Sequence, residues 1–423
     1  MSLRRLLSAC SGTVLSLCLL LGCTRSSPSA DKAELQGTIN VLVALDQQTT
    51  FSEGILEEQA SLTQQLAKNF RAVYPGVNIQ IELINDQNLA KQLQQRYHDG
   101  LSPDLILVNG RSAQDLHEMG LSLPVPNSWY ANTDIKPSLV QRFSLSKQQS
   151  MGIPVFLVPQ VACYNRKRLR ASPASLTELM EASKKGLEVG LALDMYDLFW
   201  TVEAWGGKAA VDAAPGNEAL TPAQKQGLLR WLKSLLQANL VLSVNFFNEQ
   251  EQMIQGLING RLDWITCRST NLERLRNHLG KQLGVAALPS GPEGAASPRT
   301  ISKVWVFGKD SSPNQRDIAK KFAAFSVNYV TQRFIALSSK EMLPVHQNVS
   351  IPTGDSPELQ AMVRSEQQAQ RDNPIRRLKP SDTRLKRLSQ MITQMIYGER
   401  SPEQTSVDVI NLIQNKSWNN PGT

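Results

Sequence analysis

Pro103-Asp104-Leu105-Ile106-Leu107-Val108-Asn109-Gly110 is a short apolar run that ends in a glycine turn. Four branched aliphatic residues bounded by turn-formers read as a buried strand. Upstream, Thr38-Ile39-Asn40-Val41-Leu42-Val43-Ala44-Leu45 and Val77-Asn78-Ile79-Gln80-Ile81-Glu82-Leu83 also read as strands. Between them Leu62, Leu66, Phe70 and Val73 recur at helical spacing over 55–73, and Pro75-Gly76 stops that helix. A second helix spans 87–99 and ends at Gly100. The β-α-β-α-β order predicts an α/β fold with a largely parallel sheet. Ligands of such sheets bind beyond the carboxyl ends of the strands. Here those ends are Asp46–Thr50 and Asn109–Arg111.

A second unit starts at Gly152-Ile153-Pro154-Val155-Phe156-Leu157-Val158-Pro159, a hydrophobic run broken by prolines, and Val161–Tyr164 continues it as a strand. Ser175-Leu176-Thr177-Glu178 has the form of a capping box opening a helix. Gly190–Leu193 reads as a short strand, 195–205 as one aromatic-rich helix stopped by Gly206-Gly207, and 222–239 as an amphipathic helix. Leu262–Thr266, Val285–Leu288 and Val304–Phe307 read as strands, Pro289–Arg299 as a Gly/Pro loop and 314–337 as a helix.

Residues 1–22 read as a secretory signal: Arg4 and Arg5 precede an apolar stretch over 13–21 that is short for a bilayer span. Leu20-Leu21-Gly22-Cys23 resembles a bacterial lipobox, which makes Cys23 the expected lipidation site. A Ser/Pro-rich tether follows, so 23–36 is expected to leash an exported body to a membrane surface without spanning it. Cys10 and Cys18 leave with the signal. Cys163 and Cys267 remain, both in apolar strand-like contexts, and are read as buried free thiols, with a disulfide as the alternative.

The 423 residues carry 41% apolar and 19% charged residues, ordinary globular values that exclude a disordered chain, a collagen-like fibre and a multi-span membrane protein. A net charge of +8 spread over this length lacks the tight basic stripe of a nucleic-acid binder. Signatures of nucleophilic, zinc and nucleotide chemistry are absent: there is no Gly-x-Ser-x-Gly, His-Glu-x-x-His, Cys-x-x-Cys or phosphate-cradling Gly-x-x-x-x-Gly-Lys. None of the four histidines, His98, His117, His278 and His346, has a second histidine or cysteine at ligand spacing. The expectation is therefore no enzyme, no metal and no cofactor. Phe199, Trp200 and Trp205 beside a Gly-Gly turn suit either a packed core or the apolar face of a sugar ring.

The order of these segments resembles family 1 extracellular solute-binding proteins, the maltose-binding-protein type that feeds ABC importers. The resemblance is carried by Pro103-Asp104-Leu105-Ile106, by Gly152-Ile153-Pro154-Val155 leading to Tyr164-Asn165-Arg166-Lys167, and by Pro173–Leu179. It continues through Trp200 to Gly206-Gly207, Asn259–Trp264, Lys309–Phe325, Leu343-Pro344-Val345 and Gly398–Glu403. It implies an α/β, two-lobed periplasmic-binding-protein fold with a helix-flanked mixed or parallel sheet in each lobe. Lobe 1 would be 37–156 plus 304–347, and lobe 2 would be 157–303 plus 348–423. Hinge crossings are expected near Phe156–Val158, Ser302–Val304 and Val345–Asn348.

The implied function is capture of a small polar solute, sugar or sugar-like, between two closing lobes for delivery to ABC permease subunits. The implied form is an extracytoplasmic monomer anchored by lipidated Cys23, with no nucleic-acid partner. Carried over to this sequence, the expected cleft residues are Asp46, Gln47, Asn109 and Arg111 on one side and Gln160 at the first crossing. On the other side they are Asp194, Asp197, Phe199, Trp200, Arg268 and Ser269. Trp305 is read as core or cleft, and Trp264 as core. The run 376–387 (Arg376, Arg377, Lys379, Arg384, Lys386, Arg387) reads as a solvated helix face, as cleft-lining cations that include Arg384, or as a contact with acidic lipid. Its arginines leave an acidic or phosphorylated solute as an alternative to a sugar, and a sensory or docking lipoprotein as an alternative to a transport component.

Overall fold

The computed structural model describes residues 35–45, 53–213, 219–354, 356–369 and 383–414. Its strands are β1 (Gly37–Leu45), β2 (Val77–Asn85), β3 (Leu105–Asn109), β4 (Val125–Pro126), β5 (Gln149–Ser150) and β6 (Ile153–Asn165). They continue as β7 (Val189–Ala192), β8 (Val244–Phe247), β9 (Trp264–Arg268), β10 (Leu283–Ala286), β11 (Thr300–Phe307) and β12 (Leu343–Pro344). Among the described residues one mixed sheet runs β2-β1-β3-β11-β6-β9-β7-β8, with β10 and β12 also paired to β6. The first three strands are mutually parallel, and so are β9, β7 and β8. This matches the parallel βαβ reading of the N-terminal third, with helices Glu53–Val73 and Leu89–His98 as the crossovers.

The long strand β6 organises the molecule. Its first half pairs with β11 through Ile153–Pro159, and its second half pairs with β9 through Gln160–Tyr164. Residues 153–164 are all buried, as expected of a strand covered on both faces. The prolines at 154 and 159 do not break it. Pro154 lies at a register shift against Lys303 and Val304, where a missing N–H costs no regular ladder bond. Three apolar clusters flank the sheet. One runs from Ile39, Phe70 and Phe322 through β6 to Leu257 and Leu275; a second centres on Trp200, Trp231 and Trp264; a third holds Leu42, Leu93 and Val108.

Other sequence expectations need correction. The segment 195–205 is two short helices, Met195–Leu198 and Trp200–Ala204, meeting at Phe199. The segment 314–337 is likewise two helices, Pro313–Val327 and Tyr329–Ser338. Asn328 interrupts it with extended dihedrals and caps the second helix by accepting from the Thr331 amide at 2.8 Å. Cys163 and Cys267 are joined as a disulfide rather than free. Cys163 falls within the expected strand Val161–Tyr164, Cys267 lies one residue past the expected Leu262–Thr266 and is on β9, and their pairing depends on register. Cys163 lies opposite Ile265 and Cys267 opposite Val161, a diagonal placement that brings their Cα atoms to 6.0 Å.

Candidate functional site

Register shows why the carboxyl ends of two parallel strand sets converge. β3 ends at Asn109, which pairs with Lys303, which in turn pairs with Phe156 of β6. From the opposite direction, β9 ends at Arg268, paired with Gln160. Phe156 and Gln160 are four residues apart on β6, about 13 Å at strand rise. Side chains that leave β3 and β9 therefore enter one shared space beside the middle of β6, where ligands of α/β sheets bind.

An ionic cluster fills part of that space. Asp197 is buried on the helix Met195–Leu198 and accepts from Arg268 at 2.6 Å and from Arg299 at 3.2 Å. Burial works against ionisation of Asp197, but the two guanidiniums outweigh it and hold its carboxyl below the usual carboxylate range. Asp194 begins the same helix and accepts from the amides of Tyr196 and Asp197 at 3.0 and 3.3 Å. Burial, and then the neighbouring Asp197 charge, push the Asp194 carboxyl up. Gln160 locks the cluster to β6. Its side-chain amide donates to the Asp197 carbonyl at 2.7 Å and its oxygen accepts from the Arg299 amide at 3.1 Å.

The opposite side contributes Arg111, on the helix Gly110–Glu118 that follows β3. Its Cζ lies 3.5 Å from the centroid of the Tyr196 ring, and Arg299 stacks on the same ring at 5.2 Å. β3 and β7 sit on opposite sides of β6 in the sheet, so this contact bridges the two strand sets. Burial lowers the Arg111 pKa to about 10. Tyr196, Asp194 and Asp115 oppose that shift and Arg299 adds to it. Beside the cluster, Ala44 and Leu45 at the end of β1, Thr270 after β9, Phe156, Lys303 and Glu341 line a cavity of about 40 Å³. The buried Lys303 Nζ reaches the Ala44 carbonyl there at 3.5 Å.

Sequence reasoning named Arg111, Gln160, Asp194, Asp197 and Arg268, and the structure brings these together. Asn109 stands beside them as a cap, with its side-chain oxygen accepting from the Arg111 and Ser112 amides at 3.1 and 3.0 Å. Ser269 is buried and its hydroxyl donates to the Glu341 carbonyl. The aromatic residues sit elsewhere. Trp200 is 1% exposed and packs against Trp264, and Phe199 packs edge-on to Trp231. Trp305, read as core or cleft, is core: its Nε1 donates to Ser326 at 3.0 Å. Arg384 is half-buried on the first turn of the helix Thr383–Ile396, which packs near Met195–Leu198. Asp46, Gln47, Cys23 and residues 376–382 lie outside the described residues.

Tyr196, Arg299 and Lys303 were not singled out. Tyr196 stood between two named aspartates, and Arg299 closed the Gly/Pro loop before β11. Only the strand pairing shows that both reach the space beside β6. Among the described residues no helix is long and apolar enough to cross a membrane, and no His/Cys/Asp/Glu group could hold a metal ion.

The whole architecture is shared with solved two-lobed binding proteins. The GacH receptor of Streptomyces glaucescens, solved unliganded and with acarbose, superposes with a TM-score of 0.73 at 15% identity, over 90% of this chain and 100% of that one. The maltose-binding periplasmic protein of Listeria monocytogenes, in complex with maltose, gives 0.68 at 15% identity over 91% and 99%. UgpB of Mycobacterium tuberculosis, in complex with glycerophosphocholine, gives 0.69 at 15% identity over 90% and 99%. Among curated sequences, Brucella abortus and Brucella suis proteins named as binding proteins are 22% identical over 253 residues. That match takes in 55% of this chain and 60% of their own length. The model of the family described as bacterial extracellular solute-binding protein matches residues 54–329, well over half of the chain. By this match, and with the two-lobed fold that surrounds the Arg111–Tyr196 contact, the chain belongs to the bacterial extracellular solute-binding proteins.

Proposed function

We propose that the chain is the lipid-anchored, extracytoplasmic binding component of an ABC importer, capturing a small polar solute between two closing lobes. The observation that carries this reading is the Arg111–Tyr196 contact, which joins residues from the two strand sets directly over the middle of β6. A solute entering there meets groups from both sides at once, so binding and closure are coupled. The lobes would be 37–156 plus 304–347 and 157–303 plus 348–423, with β6, β11 and the segment after β12 as the crossings. Cys23 would carry the lipid, and the monomer would meet permease subunits at the membrane. Maltose in the Listeria protein and acarbose in GacH support the sugar-like class. A second reading, an acidic or phosphorylated solute, is favoured by the arginines of the site and by glycerophosphocholine in UgpB.

The test is small-angle scattering of the purified protein with and without each member of a panel of sugars, polyol phosphates and organic acids. A decrease in radius with one member, accompanied by a raised Tm, is the expected result. Enzymatic turnover of that member, or no response to any of them, would sink the reading. For the anchor, Cys23→Ser is expected to move the protein from the membrane to the soluble fraction, and mass spectrometry of the wild type should find acyl groups on Cys23.

A further inference from the structure

We propose that the solute carries an oxyanion, a phosphate or carboxylate group, and that the Arg111 guanidinium holds it against Tyr196. This rests on the solute-binding reading above and names the chemistry of the solute. Three arginines gather at the site, and two are already committed: Arg268 and Arg299 both bind Asp197. Asp197 lies between those arginines, Asp194 caps its helix, and the buried Asp86 beside the start of the Arg111 helix accepts from the Asn109 and Ser112 side chains.

Arg111 differs. Among the described residues its guanidinium makes no hydrogen bond or ion pair, and its Nε is buried without an acceptor. It stacks on the Tyr196 ring, which stabilises a cation but accepts no N–H in the guanidinium plane. Burial lowers its pKa to about 10, with Arg299 adding to that shift and Asp194 and Asp115 opposing it through space. The group therefore stays charged at neutral pH while it is partly desolvated. A planar fork with open donors takes a bidentate oxyanion better than a neutral hydroxyl, because both hydrogen bonds become charge-assisted.

The surroundings add further positive charge. Lys303 pairs across the ladder with Asn109, two residues before Arg111, and is buried beside the end of β1. Arg142 donates to Ser302 at 3.4 Å on the same strand. Cations thus flank β11 from 299 to 303.

The experiment is titration calorimetry of the purified protein with glycerol 3-phosphate, glucose 6-phosphate, citrate and glucuronate as oxyanion probes, and maltose and glycerol as neutral ones. At least one oxyanion probe is expected to bind, with affinity falling as salt rises. Affinity is expected to fall at least tenfold in Arg111→Gln and by less in Arg111→Lys. Thermal melts confirm that both variants fold. The phosphate and carboxylate arms separate the two sources of the group. If no oxyanion probe binds, or if one binds equally well to wild type and Arg111→Gln, the inference is overturned. Maltose binding that survives Arg111→Gln leaves the solute-binding reading standing without this inference. No binding by any probe counts against both.

Discussion

The Arg111 Cζ atom sits 3.5 Å from the centroid of the Tyr196 ring, with one residue following β3 and the other following β7. The contact spans the strand sets on either side of β6, so under the proposed closure it belongs to the closed state. A cation–π contact of this kind contributes about 0.5–2 kcal/mol. Tyr196→Leu is therefore expected to move the open–closed equilibrium towards open by roughly 2- to 30-fold, since 1.4 kcal/mol is tenfold. Small-angle scattering without solute would show a larger radius for the variant. An unchanged radius would mean the stack contributes nothing to closure.

Asp197 and Asp194 lie three residues apart and should respond differently to substitution, because their carboxyls are shifted in opposite directions. Asp197 is held below the usual carboxylate range, so its stabilisation is present above that range and lost as pH falls through its lowered native value. Removing its charge takes the carboxylate from the buried Arg268 and the half-buried Arg299, and Asp197→Asn is expected to cost about 3–5 kcal/mol at pH 7. Asp194 is pushed up, so its ionised form opposes folding once pH has risen from the ordinary carboxylate value through its raised native one. Asn at 194 keeps an oxygen for the Tyr196 amide, so Asp194→Asn should raise stability at pH 7 or leave it unchanged. Urea melts from pH 5 to 8 measure both. Two equal losses would contradict the opposed environments.

Trp200 illustrates what a linear reading can and cannot give. Its neighbours, the Gly-Gly turn and the aromatic spacing fitted a cleft platform as well as a core, because periodicity reports which residues share a face and not what covers that face. Trp264, which packs on Trp200, and Trp231, which packs on Phe199, arrive from 64 and 32 residues away and are placed by tertiary packing. The βαβ start was legible because each strand and helix carried its own stop signal. The shared charge cluster was only half legible: its aspartates lie on a helix N-terminus, but Arg299 and Tyr196 reach it through the β6 register. Trp200→Ala is accordingly expected to cost about 3–5 kcal/mol through an unfilled core volume. A denaturation midpoint like the wild type, with solute affinity lost, would return Trp200 to the cleft.

The Cys163–Cys267 disulfide closes a chain segment with a sequence separation of 104 residues. Both sulfurs are buried between β6 and β9, directly beside Arg268. By chain entropy alone a loop of this length contributes about 4–5 kcal/mol, and native disulfides in practice contribute about 2–5. The paired Cys163→Ala, Cys267→Ala variant is expected to lose stability in that range. It should also weaken solute binding, because β9 carries Arg268 into the site. Melts in the presence and absence of reductant give the first quantity, and calorimetry gives the second. A reductant-independent wild-type midpoint, with free thiols by labelling of unfolded protein, would argue against the bond.

Glu341 makes a second tie around the same strands. Its carbonyl accepts from the Ser269 hydroxyl, and its carboxylate accepts from the Glu273 amide at 2.6 Å. Ser269 follows β9, and Glu273 lies in the first turn of the helix Leu272–Leu279, where a negative charge is favoured. Two residues beyond Glu341, β12 pairs with Leu157 and Phe156 in the middle of β6. The side chain therefore holds the exit of β9 against the segment that returns to β6. Glu341→Ala removes the acceptor and the charge together and is expected to cost about 1 kcal/mol, within the range for lost helix N-terminal partners. Glu341→Gln keeps an acceptor and should recover more than half of that loss. Hydrogen exchange at the Glu273 amide reads the contact directly. Exchange should accelerate several-fold in Glu341→Ala, and a rate unchanged from wild type would show that water replaces the carboxylate without loss.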